Sequence, residues 1–432
     1  MQSLEKIDAY VSAICNQIRW KKARPRVADE IRNHIIDQRN SFIEQGFDQD
    51  LSTDKAIAET GDAAEIGLQL DHTHRPKPQW SMLAATIALF IVGYFIQLII
   101  FNGPIKILPT VIGLSLMAGA YFLDFTLIGK YPKVTFLAII TVTIIVINKS
   151  PVYAPYFTLL FPLAFVSVVF ALRGKKYAGM LICGLTFVLL AVIAFSINFK
   201  AGFIIYVITS IVVLGAAVSK KWFSISKIKG FLLIIFPVVI TLIILLLNMT
   251  AYQWARITAI YNQPLYSFGM GNVIRELLSG AKLLGAGNVP EKYISFFSFR
   301  SSFKSDYILT SVIVKMGWAS FAAILSVFIF FIFKGFHLCI KQKTGLGLFV
   351  SVSIMLIFSL QVIGYLAFNF GFYILSPLSL PLISFGDSAM VMNMGLIGFM
   401  LSVFRTGNIV DDSKIANKRN KFFSWQAKKE VV

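Results

Sequence analysis

Long apolar segments separated by short polar ones fill the chain from about residue 80 to residue 405, whereas the first 79 residues are mostly polar. A helix needs about 20 residues to cross the hydrocarbon core of a bilayer, and most of the apolar segments reach this length. The pattern therefore predicts an all-α polytopic membrane protein with about ten transmembrane helices. The ten segments are residues 81–101, 107–127, 131–148, 152–172, 177–199, 201–218, 230–248, 307–333, 345–368 and 381–404.

The N-terminal region carries apolar residues at helical spacing. They recur every three or four positions over residues 4–18 and again over 27–36, which predicts two amphipathic helices. A third helix is predicted to begin at Ser52 and to end before Gly61, because a cap-forming residue precedes it and a glycine follows it. Residues 1–79 are therefore predicted to form a small helical domain with an interaction or regulatory role.

Composition narrows the class of protein. Hydrophobic residues make up 57% of the chain and charged residues only 14%, and the formal net charge is +19. The basic residues cluster between apolar segments, so membrane topology explains them better than nucleic-acid binding does. The three cysteines have no spacing typical of a disulfide framework or a metal site, and His72 and His74 are interpreted as part of a solvated linker.

The basic residues also predict the orientation of the chain. If residues 1–79 lie in the cytoplasm, the strongly basic loops fall on the cytoplasmic side at every second turn, and the opposite loops are short and carry few charges. The chain returns to the cytoplasmic side only if the number of spans is even. Both termini are therefore predicted to be cytoplasmic, with a basic tail over 406–432. The predicted location is the plasma membrane.

One outer loop, residues 249–306, is much longer than the others, and long loops are usually functional. It ends at Asp306, where a polar segment runs into an apolar one. Ionisable residues are costly inside a membrane and need a functional or structural reason. Asp306 is therefore the first candidate for chemistry. Between residues 80 and 405 the chain has five carboxylates, at Asp124, Glu276, Glu291, Asp306 and Asp387.

A second candidate segment is SLPLISFGDSA over residues 379–389, followed by Asn393. Its small residues Ser384, Gly386 and Ser388 allow a ligand or another helix to approach closely, so helix packing is an equally good interpretation. We expect Asp387 to lie about two turns below the outer surface, on the same side as Asp306.

These segments resemble the SEDS family (shape, elongation, division and sporulation; FtsW/RodA/SpoVE). The family pattern Pro-Leu-Pro, two apolar residues, Ser-Tyr-Gly-Gly-Ser and then Asn is similar to residues 381–393, and its Thr-Asp-Phe-Ile-Phe is similar to SDYIL over 305–309. RITAI at 256–260 with Pro264 and LLGAG at 283–287 resemble two further family stretches at the start of and within the large outer loop. The resemblance covers about residues 80–405 and is strongest in the last third.

The resemblance implies a peptidoglycan glycosyltransferase that polymerises lipid II, with Asp306 as the catalytic acid residue. A carboxylate can take the proton from the acceptor sugar hydroxyl. Arg256, Lys304 and Arg275 are candidates for binding the pyrophosphate of the lipid, since arginine can donate two parallel hydrogen bonds to it. Family members act with a class B penicillin-binding protein, and two or three loop carboxylates could recruit a divalent cation.

Three departures from the family pattern keep other functions open. Asp387 stands where the family has glycine, Val314-Lys315 stands where it has Glu-Glu, and its Pro-Ser-Glu has no clear match near residues 130–137. We therefore also consider a flippase for lipid-linked precursors and a non-catalytic scaffold of the cell-wall machinery. A further hypothesis is that Asp387 supplies a second carboxylate to the site of Asp306.

Overall fold

The protein is helical throughout the part that its computed structural model describes. The described residues are 2–21, 23–101, 107–197, 200–251, 253–255, 270–293, 306–372, 378–384, 386–407, 409–410, 412 and 415, and they contain no strand. The chain divides into two compact units. The first is Met1–Pro78 with Asn408–Val410, and the second is Gln79–Gly407 with Asp411–Val432.

The N-terminal unit is a bundle of four helices around a small apolar core. The core is formed by Ile7, Val11, Ile35 and Ala56, all of which are buried. The helices are α1 (Gln2–Gln17), α2 (Arg24–Glu44), α3 (Gln49–Thr60) and α4 (Ala63–His74).

Two details of the N-terminal prediction were wrong. Helix α3 begins three residues before the predicted Ser52, because the Asp48 carboxylate accepts a hydrogen bond from the Asp50 amide and so caps the helix earlier. The segment that contains His72 and His74 ends α4 rather than forming a linker. Its Asp71 is buried and accepts a 2.8 Å hydrogen bond from the amide of Arg19, which ties α4 to the end of α1.

The second unit contains the membrane helices. Among the described residues, nine helices are long and apolar enough to cross a bilayer, and a tenth, α6, is apolar but has only 16 residues. The predicted all-α polytopic fold is therefore confirmed. In chain order the helices are α5 (Trp80–Phe101), α6 (Ile107–Phe122), α7 (Pro132–Lys149), α8 (Ala154–Ala171), α9 (Lys176–Ser196), α10 (Lys200–Ser219), α11 (Lys227–Leu247), α12 (Met270–Ser279), α13 (Ile308–Met316), α14 (Trp318–Ile340), α15 (Gly345–Asn369) and α16 (Asp387–Thr406).

The predicted eighth span, residues 307–333, proves to be two helices. Short helix α13 ends at Gly317, which has a φ of 93° and so turns the chain in a conformation that favours glycine. The long span α14 then starts at Trp318. Hydropathy alone could not separate the two helices, because both are apolar and the break depends on one glycine.

The predicted tenth span starts six residues too early. Residues 378–384 form an irregular segment that is buried, and helix α16 begins only at Asp387. The segment packs closely against α5. A Cβ on Gly93 would lie 2.8 Å from the carbonyl oxygen of Leu382 and 3.0 Å from Cα of Ile383. The first span therefore accommodates this backbone only because residue 93 has no side chain.

Helices α6 and α16 pack against each other through small residues. A Cβ on Gly398 would lie 2.1 Å from the carbonyl oxygen of Met117, and one on Gly113 would lie 2.5 Å from the sulfur of Met394. Such close approach of two backbones is typical of glycine-faced membrane helices. This pair forms one wall of the cavity described below.

Candidate functional site

Asp306 is an accessible acid that immediately precedes a buried helix. The residue itself is exposed, whereas Tyr307 and every residue of α13 from Ile308 to Val314 are buried. Nine-residue α13 packs against α5, α12, α14 and α15. The surrounding helices therefore fix the position of the acid, although it lies at the end of a long loop. The side of the bundle where this acid lies is called the Asp306 end.

The C-terminal end of α15 binds the start of α13. The side-chain nitrogen of Asn369 donates to the carbonyl oxygen of Asp306 at 3.0 Å, and its side-chain oxygen accepts from the amide of Thr310 at 3.1 Å. The hydroxyl of Tyr365 accepts from the amide of Ile308 at 3.2 Å. The rings of Tyr307 and Phe368 stack with centroids 5.0 Å apart. These contacts hold the carbonyl group of Asp306 and the first turn of α13 against α15.

Tyr156, at the start of α8, brings a second segment to the acid. Its hydroxyl lies near Ser379 and within electrostatic range of the Asp306 carboxylate, and the hydroxyl of Tyr365 is within the same range. A Cβ on Gly386 would lie 3.7 Å from the same hydroxyl. The two sequence segments singled out above therefore meet around one tyrosine side chain.

Helix α12, from the long outer loop, packs on the same region. Its Ile274 forms a buried cluster with Tyr307 and Phe368. The guanidinium of Arg275 donates to the carbonyl oxygen of Gly371 at 3.3 Å and lies 5.6 Å from the centre of the Phe372 ring. Arg275 thus attaches the loop to the segment after α15, which is a structural contact rather than an evident anion site.

A second contact within the outer loop closes it on itself. The ammonium of Lys292 lies 2.7 Å from a carboxylate oxygen of Glu276, and the hydroxyl of Tyr293 donates to the other oxygen at 2.7 Å. The hydrogen bonds from Lys292 and Tyr293 lower the pKa of the Glu276 carboxyl below its ordinary value. Both oxygens of the Glu276 carboxylate are therefore bonded to residues of the same loop.

The small residues of the second segment lie in different places. The hydroxyl of Ser384 is buried and has no hydrogen-bond partner among the described residues. Gly386 occupies the cap position of α16, and Asp387, which is exposed, is the first residue of that helix, not a residue two turns inside it. Asn393 is buried between α15 and α16, where its side-chain oxygen accepts from Gln361 at 3.3 Å. Its position fits helix packing better than contact with a ligand.

An apolar cavity of about 850 Å³ opens beside this segment. Helices α6, α7, α8 and α16 form its walls, and almost all of the side chains that line it are hydrocarbon. Asp387, Ser388 and Tyr153 supply polar groups where these helices reach the Asp306 end. A cavity of this kind can hold the hydrocarbon chain of a lipid and expose its head group to the site. Representative lining residues are Leu116, Leu127, Ile139 and Phe157.

Two predicted binding residues, Arg256 and Lys304, lie outside the described residues. Sequence reasoning also missed three residues that the structure places around Asp306, namely Tyr156, Tyr365 and Asn369. A signal for two of them was present, because polar side chains four residues apart lie on one face of an otherwise apolar helix. No group of three or more His, Cys, Asp or Glu side chains within the described ranges could hold a metal ion.

The fold and the site together define the class of protein. It is a multi-pass α-helical membrane protein with an accessible carboxylate, Asp306, immediately before a short buried helix, and with an apolar cavity lined by the start of α16. Residues 163–408 match the family FTSW_RODA_SPOVE, described as "Cell cycle protein". This match covers more than half of the chain, so the chain belongs to the FtsW/RodA/SpoVE family, and the predicted resemblance is confirmed.

Individual relatives are distant. The chain is 26% identical over 190 residues to the "Probable peptidoglycan glycosyltransferase FtsW" of Buchnera aphidicola subsp. Baizongia pistaciae, a match that covers 42% of this chain and 49% of the relative. A protein of the same name from Trichlorobacter lovleyi is 20% identical over 167 residues, covering 36% and 41%. The chain thus matches about half the length of these curated relatives.

A solved structure shares the fold. It is described as "Structural coordination of polymerization and crosslinking by a peptidoglycan synthase complex". The TM-score is 0.56 at 17% identity, and the match covers 76% of this chain and 98% of the other. At this identity the comparison supports the architecture of the membrane unit and leaves the chemistry to be argued from the site.

Proposed function

We propose that this protein is a peptidoglycan glycosyltransferase that polymerises lipid II at the outer face of the plasma membrane. The observation that carries the proposal is the accessible carboxylate of Asp306, which precedes a buried helix at the end of the bundle where Asp387 and Ser388 line an apolar cavity. Membership of the FtsW/RodA/SpoVE family and the names of the relatives support the same activity. The proposed substrate combines a long hydrocarbon chain with a polar sugar head group, as the cavity and the neighbouring acid require.

In the proposed reaction, Asp306 acts as a general base. Its carboxylate removes the proton from a hydroxyl of the acceptor sugar, and the resulting oxygen attacks the anomeric carbon of the donor sugar. The bond from that carbon to the pyrophosphate breaks, and the undecaprenyl pyrophosphate leaves with the electron pair. Because the backbone of Asp306 is fixed by Asn369, the base needs no large rearrangement to reach the acceptor.

We propose that the cavity between α6, α7, α8 and α16 receives the isoprenoid tail of the lipid. This places the pyrophosphate near Asp387, Ser388 and the start of α16. Two like charges repel one another at short distance, so Asp387 favours a cation between itself and the pyrophosphate. This proposal gives Asp387 a role at the entrance of the cavity and does not require it to act as a second base.

The direct test is polymerisation of purified lipid II, with products separated on a gel. We expect Asp306→Asn to lower the initial rate about 100-fold or more, as removal of a general base does, while expression and membrane insertion persist. Glu291→Gln is a matched control, since Glu291 is an exposed carboxylate of the same loop, and its rate should stay close to wild type. Undiminished polymer from Asp306→Asn would reject the proposal.

The partner and the orientation are proposed on separate grounds. The fold is shared with a chain of a peptidoglycan synthase complex, so we propose a transpeptidase partner of the class B penicillin-binding protein type. Among the described residues, the nine long apolar helices and the shorter α6 together make an even number, which agrees with both termini lying on the same side of the membrane. The distribution of basic residues favours the cytoplasm for that side.

A further inference from the structure

The side chain at the cap position of α13 does not cap the start of the helix. The first four amides of an α-helix have no partner inside the helix, and a side chain at the cap position usually accepts from one of them. The cap position of α13 is Tyr307, which makes no side-chain cap hydrogen bond. The amides of Ile308 and Thr310 are nevertheless bonded, at 3.2 Å and 3.1 Å, to Tyr365 and Asn369 of α15.

Asn369 uses its whole amide group in this contact. Its side-chain nitrogen donates to the carbonyl oxygens of Asp306 and Tyr365, both at 3.0 Å, and its side-chain oxygen accepts from the amide and the hydroxyl of Thr310, both at 3.1 Å. The Thr310 hydroxyl also reaches the backbone carbonyl of Asn369 at 3.0 Å. Asn369 is 1% exposed and Thr310 is fully buried, so water cannot replace these bonds.

We infer that α15 caps α13 from outside the helix, and that Asn369 is the positioning residue that sets where Asp306 stands. The inference rests on the proposed function for its catalytic part, since it assigns Asn369 to the same acid. Asn369 bonds residues 306 and 310 at once, so it fixes the acid relative to the helix that follows it. Tyr365, one helical turn earlier in α15, fixes the amide of residue 308 in the same way.

This arrangement has a specific consequence for the acid. An aspartate just before a helix is a preferred cap for the amides of that helix. Here the amides of residues 308 and 310 are bonded to α15, so these two donors do not depend on the carboxylate of Asp306. Asn369 and Tyr365 thus supply two of the hydrogen bonds that the start of α13 needs.

Two kinds of variant test the inference. Asn369→Leu removes all of the side-chain bonds of Asn369, and Tyr365→Phe removes the hydroxyl that accepts from the Ile308 amide. Thr310→Val removes a buried hydroxyl at the contact, and Thr143→Val is its matched control, because Thr143 is equally buried but bonds within its own helix, to Ile139. The conservative Tyr365→Phe and Thr310→Val variants keep the test usable if Asn369→Leu folds poorly.

The first measurement is amide hydrogen exchange, which does not depend on activity. We expect exchange of the Ile308 amide to accelerate about tenfold in Tyr365→Phe, and exchange of the Thr310 amide to accelerate about tenfold or more in Asn369→Leu. Protection of α14 should be unchanged in both. Unchanged exchange over residues 306–312 in the folded Asn369→Leu protein would overturn the proposed cap.

The second measurement is the polymerisation rate as a function of lipid II concentration. A positioning role predicts that kcat falls about tenfold in Asn369→Leu while KM stays within about twofold. Thr310→Val should lower kcat by a smaller factor, and Thr143→Val should leave it unchanged. A wild-type kcat in Asn369→Leu would overturn the positioning role. A polymerase that is insensitive to Asp306→Asn would instead reject the proposed function, while the exchange result would still decide the cap.

Discussion

Tyr156 is the side chain where three separated parts of the sequence meet. It comes from the start of α8, and its hydroxyl lies near Ser379 and within electrostatic range of Asp306. A hydroxyl beside a carboxylate can orient it and stabilise its charge through a hydrogen bond. Nothing in the local sequence distinguished this tyrosine from an ordinary aromatic residue at a membrane interface, so its role could be found only from the tertiary structure.

We expect Tyr156→Phe to lower kcat for lipid II polymerisation about tenfold, because the hydroxyl interacts electrostatically with Asp306 and a change of about 1.4 kcal/mol in the barrier is tenfold in rate. Tyr177→Phe is the matched control. Tyr177 is 52% exposed at the start of α9 and does not line the apolar cavity. Initial rates at saturating lipid II compare the two variants. Equal rates for Tyr156→Phe and the wild type would remove Tyr156 from the site.

At the scale of helices, the contact between α6 and α16 holds together one wall of the cavity. We expect Gly398→Ala to destabilise the protein by about 1–3 kcal/mol, because the added methyl group would meet the backbone of Met117. The thermal midpoint of the detergent-purified protein measures this cost.

Gly119→Ala provides the control for that substitution. Gly119 also lies in α6, but a Cβ there has no atom within 4 Å, and alanine favours helix more than glycine does. Its thermal midpoint should be equal to or slightly above that of the wild type. Equal midpoints for Gly398→Ala and Gly119→Ala would show that the two helices can separate without cost.

The sequence predicted the helices better than it predicted their ends. Hydropathy located every long span, since burial in lipid demands apolar residues along the whole helix. It placed two starts wrongly, at α14 and α16, because those starts depend on Gly317 and on a buried irregular segment rather than on apolar content. The acid at Asp306 was predicted from its cost in a membrane. Asn369 and Tyr365 share one face of an apolar helix, but only the packing of α15 beside α13 connects them to that acid.

At the scale of the molecule, basic residues gather at the end of the bundle opposite Asp306. There Arg173 stacks on Trp222, and Arg405 stacks on Tyr121 and Phe122. Cytoplasmic loops of membrane proteins are enriched in such residues. The structure therefore separates a basic end from an end that carries the candidate site.

This separation predicts the labelling of single cysteines in intact cells. In a background with Cys15→Ser, a membrane-impermeant maleimide should label Leu283→Cys, which is 71% exposed in the outer loop, without permeabilisation. Ile340→Cys, which is 78% exposed at the end of α14, should be labelled only after permeabilisation. The reverse result would place Asp306 in the cytosol, where the proposed polymerisation could not occur.

The packing of residues 378–384 against Gly93 determines when, during synthesis of the chain, the candidate site can be complete. The first membrane helix to be synthesised holds a space that only the segment before the last helix fills, through Leu382 and Ile383. Membrane helices enter the bilayer in chain order, so a ribosome-bound or truncated chain that ends before residue 378 contains Asp306 but lacks this packing. If the proposed function holds, we expect such a chain to stay inactive until its last membrane segment is synthesised.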